Sequence, residues 1–91
     1  MLELYAAKAR ANLKKTVGML NRIEKMIDEN RYCVDIAQQV NAAIGFLRQT
    51  NNLILENHLN TCGGSKLSAR DKDEKDRFVK ELIQAFTVAG K

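Results

Sequence analysis

The chain has 91 residues, of which 45% are hydrophobic and 5% aromatic, and it carries a net charge of +4 with no proline. This length allows one domain, predicted over residues 1–91, with an aliphatic core of long helices packed on helices. No apolar run is long enough to span a bilayer and no charged-then-apolar leader opens the chain, so we expect a soluble cytoplasmic protein. The positive charge is compatible with an anionic partner but is a weak indication of one.

The first predicted helix runs from Glu3 to Asn30 and is amphipathic. Its apolar side carries Leu13, Thr16, Val17, Leu20, Ile23 and Ile27. Its opposite side carries an arc of basic residues about 120° wide. The arc consists of Lys8, Lys14, Lys15, Arg22 and Lys25. A solvated face and a phosphate-facing stripe explain such an arc equally well.

A short break at residues 28–32 separates this helix from a second one, predicted from Tyr32 to Cys62. Asn30 is a candidate cap for the second helix. We expect one buried stripe at 3-4 spacing, interrupted by Asn51, a polar residue that can fix helix register. The stripe consists of Ala37, Val40, Ile44, Leu47, Ile54 and His58.

Gly63, Gly64 and Ser65 are predicted to end the second helix, and the polar residues 66–76 are predicted to form a loop or a frayed helix start. A shorter third helix is predicted from Lys75 to Val88. Its apolar face carries Phe78, Val79, Leu82, Ile83 and Phe86. The sequence therefore predicts an all-α, three-helix protomer.

Three residues with metal-binding side chains lie on the second predicted helix. His58 and Cys62 are four residues apart, which places both on one face of an α-helix. Such a pair often arises by chance from a structural histidine and a buried cysteine. Cys33 begins the same helix, about 40 Å from His58 at 1.5 Å per residue, so one chain cannot close a site with all three. Two antiparallel copies of the helix would form two equivalent sites across a two-fold axis.

The donor set favours one metal. Two thiolates and one imidazole suit a monovalent copper ion, Cu(I), in three-coordinate geometry. Zinc usually takes a fourth ligand, and calcium and magnesium need oxygen donors. Nothing indicates secretion, so reduced thiols are favoured over a disulfide. No orienting acid or oxyanion loop accompanies the Cys–His pair, so we do not expect an enzyme.

Two segments of the chain resemble a known family. The segments are residues 30–36, Asn-Arg-Tyr-Cys-Val-Asp-Ile, and residues 57–62, Asn-His-Leu-Asn-Thr-Cys. Together they are similar to the copper-sensing operon repressors (the CsoR family), and the resemblance extends over nearly the whole chain. Nickel and cobalt sensors of this kind carry further histidines, and persulfide sensors lose the histidine. The presence of His58 therefore favours copper.

The resemblance implies a fold and a mechanism. It implies a long antiparallel helical hairpin plus a short third helix, assembled as a homodimer or homotetramer of four-helix-bundle type with copper bridging protomers. The metal-free form would bind operator DNA, and copper would release it. The resemblance also gives roles to Tyr32, which precedes the first ligand, and to Glu81. Hydrogen bonds from the non-ligating nitrogen of the His58 ring to such partners would couple metal binding to helix movement.

The chain departs from the family pattern on the DNA side. Asn12, Val17 and Gln49 stand where family repressors usually carry basic residues. Arg48 precedes Gln49 by one position, or about 100° around the helix, so it is not an obvious substitute for the arginine usual at that position. Phosphate contacts tolerate lysine in place of arginine better than base contacts do. The candidate DNA-binding residues are Lys8, Arg10, Lys14, Lys15, Arg22, Lys25 and Arg48.

Three functions are compatible with these observations. The first is a copper-responsive transcriptional repressor. The second is a copper-binding buffer or chaperone that does not bind specific DNA, which the three departures favour. The third is a thiol or persulfide sensor in which Cys33 and Cys62 become linked across a dimer, and mass spectrometry after polysulfide treatment would detect that link.

Overall fold

A computed structural model describes residues 1–63 and 71–87, apart from the side chain of Cys62. Helix α1 spans Glu3–Asp28 and helix α2 spans Cys33–His58. A π-helical turn at Leu59–Gly63 continues α2, and a shorter helix, α3, spans Lys72–Phe86. The described residues contain no strand, so the all-α prediction with three helices is confirmed. Val88, the predicted end of the third helix, and residues 66–70 of the predicted polar segment lie outside the described residues.

The turn between α1 and α2 is built around Asn30. Asn30 adopts a left-handed conformation with φ 55°, which asparagine tolerates better than most residues. Its N–H donates to the carbonyl of Ile27, and the N–H of Arg31 donates to the carbonyl of Met26. These two bonds form a Schellman motif that ends α1. The expected role of Asn30 as the cap of α2 was wrong, because Tyr32 occupies that position without a side-chain hydrogen bond.

Helices α1 and α2 pack against each other as an antiparallel hairpin, and the residues that α2 buries in it are small or polar. We call the buried residues of α2, Ala43, Thr50 and Asn57, its inner face. The buried residues of α1 are Ala9, Thr16, Ile23 and Met26. The hydroxyls of Thr16 and Thr50 donate to the carbonyls of Asn12 and Phe46, one turn earlier in their own helices. Small side chains with satisfied hydroxyls let the two helices approach closely without leaving buried polar atoms unpaired.

The predicted buried stripe of α2 is not the surface that packs against α1. Val40, Ile44, Leu47 and Ile54 are 40%, 40%, 46% and 37% exposed in one protomer, and we call this surface the outer face of α2. On α1, Leu13, Val17, Leu20 and Ile27 are likewise exposed, although Thr16 and Ile23 are buried as expected. The hairpin is therefore closed by other residues, and burial of the predicted stripe between two copies of α2 stays a prediction. Seven-residue periodicity marks both stripes and does not distinguish burial within a chain from burial between chains.

The protomer leaves much apolar surface uncovered. The described Cα atoms extend over 58 × 31 × 12 Å, and no side chain in the described part of the chain is more than 98% buried. A layer this thin cannot enclose a core of large side chains. None of the described helices combines the length and the apolarity that crossing a membrane requires.

Helix α3 begins three residues earlier than predicted because Asp71 caps it. The Oδ1 atom of Asp71 accepts a hydrogen bond of 2.9 Å from the N–H of Asp73. Asp73 and Glu74 add negative charge to the first turn, where the helix dipole favours it. Residues 72–74 thus begin a helix, which is one of the two alternatives, a loop or a frayed helix start, that their polar composition left open.

Candidate metal centre

Two of the three predicted ligands lie at the two ends of α2. Cys33 is its first residue and has a free, exposed thiol. His58 is its last residue, 25 positions later, or about 38 Å along the helix axis. About 100° of rotation per residue places both side chains on the same side of α2 as the outer face. The thiol and the imidazole therefore stand at opposite ends of one exposed aliphatic surface.

The imidazole of His58 is half-buried and stacks on an aromatic ring of α3. The ring centroids of His58 and Phe78 are 5.5 Å apart, and the ring planes are inclined by 29°. Phe78 is 5% exposed and is the buried residue of α3. The stack docks α3 onto the end of α2 and restrains the orientation of the imidazole.

Sequence reasoning assigned Phe78 only to the apolar face of the third helix. Nothing in the spacing of His58 and Phe78 pairs them, because their contact depends on how α3 is placed against α2. An aromatic residue at the centre of a short amphipathic helix was the available indication that Phe78 would be buried.

The third predicted ligand, Cys62, lies in the π-helical turn Leu59–Gly63. The prediction that α2 stays α-helical as far as Cys62 was wrong. Hydrogen bonds in a π-helix run from residue i to residue i+5, so a turn is wider than in an α-helix. The side chain of Cys62 is outside the described part of the structure, so the placement of its thiol beside His58 stays a prediction.

Two residues, Tyr32 and Glu81, were predicted as hydrogen-bonding partners of the ligand histidine. Tyr32 caps α2 next to Cys33 and is exposed. Glu81 is exposed on α3, three positions after Phe78, and lines a cleft with Phe78 and Arg77. In the described part of the protomer, the ring next to His58 is that of Phe78, and neither predicted residue forms a hydrogen bond with the imidazole. Their roles stay predictions.

The described side chains of one protomer do not form a complete metal site. Among the side chains that it describes, no three His, Cys, Asp or Glu residues lie close enough together to hold a metal ion. Cys33 and His58 cannot belong to one such cluster because they lie at opposite ends of α2.

The basic residues of α1 lie on its exposed surface. Lys15 also reaches towards α2, with its Nζ atom 5.9 Å from the centre of the Phe46 ring. Arg48 lies two residues after Phe46, or about 200° around α2, and borders Phe86 of α3. Within one protomer, Arg48 therefore does not join the basic residues of α1. The exposed basic residues of α1 are Lys8, Arg10, Lys14, Lys15, Arg22 and Lys25.

The first turn of α1 is hydrogen-bonded to the end of α2. The side-chain Oδ1 atom of Asn57 accepts a bond of 2.7 Å from the N–H of Leu2. The Nδ2 atom of Asn60 donates a bond of 2.8 Å to the hydroxyl of Tyr5. Sequence reasoning assigned no role to Asn57, Asn60 or Tyr5, because nothing in their spacing shows that these two chain segments meet.

Residues 5–88 match the sequence model of a protein family described as metal-sensitive transcriptional repressors. This match covers almost all of the 91 residues. The chain belongs to this family. A repressor family is not a class of enzymes, and the resemblance to the CsoR family is confirmed.

Named members of the repressor family are similar to the chain. It is 44% identical over 62 residues to the copper-sensing transcriptional repressor CsoR of Mycobacterium tuberculosis, a match that covers 66% of this chain and 52% of that protein. It is 40% identical over 80 residues to CsoR of Mycobacterium ulcerans, covering 85% and 65% of the two chains. It is 28% identical over 75 residues to CsoR of Bacillus subtilis, covering 82% and 74%.

The chain therefore matches about half the length of the mycobacterial repressor to which it is 44% identical. No solved structure is significantly similar to it. Family membership places the three-helix protomer among metal-sensing transcriptional repressors.

Proposed function

We propose that this protein is a copper(I)-responsive transcriptional repressor of the cytoplasm, which binds operator DNA without copper and leaves it when copper binds. The observation that carries the proposal is the placement of soft donors at both ends of an exposed aliphatic face, Cys33 at one end and His58 at the other. Family membership and the names of the similar repressors support copper as the metal and transcription as the process.

The outer face of α2 supports assembly of two protomers. Its aliphatic residues recur along the helix with one polar interruption, Asn51, and stay exposed in the protomer, which favours burial against a second copy. If two α2 helices pack antiparallel, Cys33 of one protomer approaches the partner's His58 and the partner's Cys62. The dimer then carries two equivalent sites, and pairing of dimers would give a homotetramer.

The available donors fit monovalent copper. Cys33 offers an exposed thiol, and the His58 ring keeps its edge nitrogens free to bind because Phe78 covers a face of the ring. With the thiol of Cys62, this set gives two sulfur atoms and one nitrogen atom, which suits three-coordinate Cu(I). Tyr32 and Glu81 are proposed to tune the site from positions next to Cys33 and near Phe78.

The exposed lysines and arginines of α1 are proposed to bind the phosphate groups of operator DNA. They lie on one helix and are exposed, although Lys15 also reaches towards Phe46 of α2. Contacts of this kind position a protein on DNA and make its affinity strongly dependent on salt concentration. Arg48 lies on another side of the protomer and would contact DNA only from an assembled oligomer.

The decisive experiment measures DNA binding and copper binding together. We expect the metal-free protein to bind DNA from its own promoter near physiological salt, as measured by fluorescence anisotropy. Anaerobic titration with Cu(I) should release the DNA at about one copper per protomer. Copper binding without specific DNA binding would contradict the repressor function and favour a copper buffer or chaperone, the alternative that Asn12, Val17 and Gln49 support.

The variant His58→Ala tests the ligand assignment. We expect it to keep the helical oligomer and to weaken copper binding more than about a hundredfold, because even partners of metal ligands contribute 10- to 100-fold. Asn41→Ala, an exposed change in the middle of α2, is the control and should leave copper affinity unchanged. Unchanged copper affinity and unchanged DNA release in His58→Ala would contradict the assignment of His58 as a ligand.

A further inference from the structure

The hydrogen bonds between the start of α1 and the end of α2 lie next to a proposed metal ligand. Asn57 immediately precedes His58, and Asn60 follows it by two residues. Their partners, the N–H of Leu2 and the hydroxyl of Tyr5, are both 55 residues away in sequence. We call these two hydrogen bonds the α1 clamp.

Residues 57–61 carry the proposed ligand His58 on one side of the helix and the clamp residue Asn57 on another. Asn57 is 9% exposed and points into the hairpin, whereas His58, rotated by about 100°, lies on the side of the outer face. The hydroxyl of Thr61 donates to the carbonyls of Asn57 and His58, at 2.9 and 3.3 Å. Residues 57–61 are thus linked to each other, and a rotation that aims His58 also displaces Asn57.

The π-helical turn after His58 differs from the end of an α-helix in its hydrogen-bond pattern. Its hydrogen bonds to residue i+5 can be replaced by the i+4 bonds of an α-helix, and single π-turns are frequent at functional sites. Asn60 and Cys62 both belong to this turn. A change in the turn that brings Cys62 to a metal therefore also shifts the donor of the Asn60–Tyr5 bond.

The other end of the clamp lies at the start of the basic surface of α1. Tyr5 is followed after three residues by Lys8 and after five by Arg10, the first two basic residues of the helix. The first turn of α1 has no side-chain cap of its own, since Leu2 is its N-cap residue. The Asn57 side chain instead satisfies the N–H of Leu2, so the end of α2 holds this turn in place.

We propose that Asn57, Asn60 and Tyr5 are positioning residues that transmit metal binding at His58 and Cys62 to the first turns of α1, and so to Lys8 and Arg10. This inference rests on the proposed function and adds the route by which metal binding changes DNA binding. The clamp residues themselves do not touch the metal. They fix where the basic end of α1 lies relative to the metal-binding end of α2.

The variant Tyr5→Phe tests the clamp in the full chain with the least disturbance, because it removes only the hydroxyl that Asn60 contacts. We expect Cu(I) affinity, measured by competition with a chromophoric chelator, to stay within about twofold of that of the unaltered protein. The ratio of DNA affinities without and with Cu(I) should fall about fivefold, the equivalent of one hydrogen bond. Asn41→Ala is the control and should leave the ratio unchanged.

A second pair of variants removes or keeps the acceptor at position 57. Asn57→Ala eliminates it, whereas Asn57→Asp keeps an oxygen for the N–H of Leu2. We expect Asn57→Ala to reduce the affinity ratio and Asn57→Asp to retain it. Without copper or DNA, Asn57→Ala should also speed hydrogen exchange at Ala6, Ala7 and Lys8 and leave the rest of α1 unchanged.

The outcomes separate this inference from the proposed function. If Cu(I) releases DNA from the unaltered protein and equally from Tyr5→Phe and Asn57→Ala, the clamp is not the route of coupling. Equal loss of coupling in Asn57→Ala and Asn57→Asp would also overturn it, because the acceptor would not matter. If Cu(I) has no effect on DNA binding by the unaltered protein, the proposed function itself fails and the inference fails with it.

Discussion

The inner and outer faces of α2 follow the same periodicity but have opposite chemistry. The inner face carries Ala43, Thr50 and Asn57, small or polar residues that are buried against α1. The outer face carries large aliphatic residues such as Ile44 and Leu47, which one protomer leaves exposed. Small residues let two helices of one chain approach closely, whereas large ones need a partner surface that covers them. On α2, residue size therefore distinguishes the face that closes the hairpin from the face left for assembly better than hydrophobicity does.

The largest expected effect comes from placing a charge on the outer face. Leu47→Glu should weaken self-association at least about a hundredfold, because a carboxylate without a partner in an apolar interface costs several kcal/mol. The antiparallel hairpin has its own buried seam, so the helical protomer should persist. Sedimentation equilibrium and circular dichroism measure the two properties.

Gln38→Glu is the matched control for this change. It introduces the same charge at an exposed position of α2 and should leave self-association within about threefold of that of the unaltered protein. If Leu47→Glu associates as the unaltered protein does, the outer face is not the surface between protomers, and the shared metal site is contradicted as well.

A smaller effect is expected from enlarging a residue of the inner face. Ala43, which is 4% exposed, has no room for extra side-chain volume, so Ala43→Leu should lower the free energy of unfolding by about 1–3 kcal/mol. Urea unfolding at a fixed protein concentration measures this difference. Ala42→Leu makes the same change at the neighbouring exposed position and should stay within about 0.5 kcal/mol. Equal effects at both positions would contradict the assignment of the inner face.

The smallest effect concerns the end of α2 that α3 covers. Asp71→Ala removes the cap of α3 and should destabilise that helix by about 1 kcal/mol. Hydrogen exchange should quicken in the first turns of α3, around the Phe78 that stacks on His58, and stay unchanged in the middle of α1. Asp76→Ala, an exposed change within α3, keeps the cap and is the control. Equal exchange in both variants would show that Asp71 does not hold α3 in place.

The candidate ligands could be named from the sequence because the chain is poor in soft donors. It contains one histidine and two cysteines, and all three fall on the second predicted helix or its end. Their 29-residue span along a straight helix already required a second chain to close a site. Periodicity alone also located the helices, with α1 and α2 beginning and ending within a few residues of the predicted positions.

The surroundings of those ligands could not be predicted in the same way. Phe78 contacts His58 across 20 positions of sequence, and Asn57 contacts Leu2 across 55. Such contacts depend on how whole helices are placed, which local spacing does not encode. The π-helical turn is a comparable case, because Leu59–Gly63 carries no residue pattern that separates it from the end of an ordinary α-helix.

The three helices, the apolar stripes, the basic surface of α1 and the candidate soft-metal ligands follow from residue type and helical repeat, so they could be predicted from the sequence. The stripe that closes the hairpin, the ring that stacks on His58 and the bonds that hold the start of α1 to the end of α2 depend on how the helices pack. Two stripes of equal period on one helix compete for burial, and periodicity does not choose between them. Close packing of small side chains and long-range hydrogen bonds then select between them.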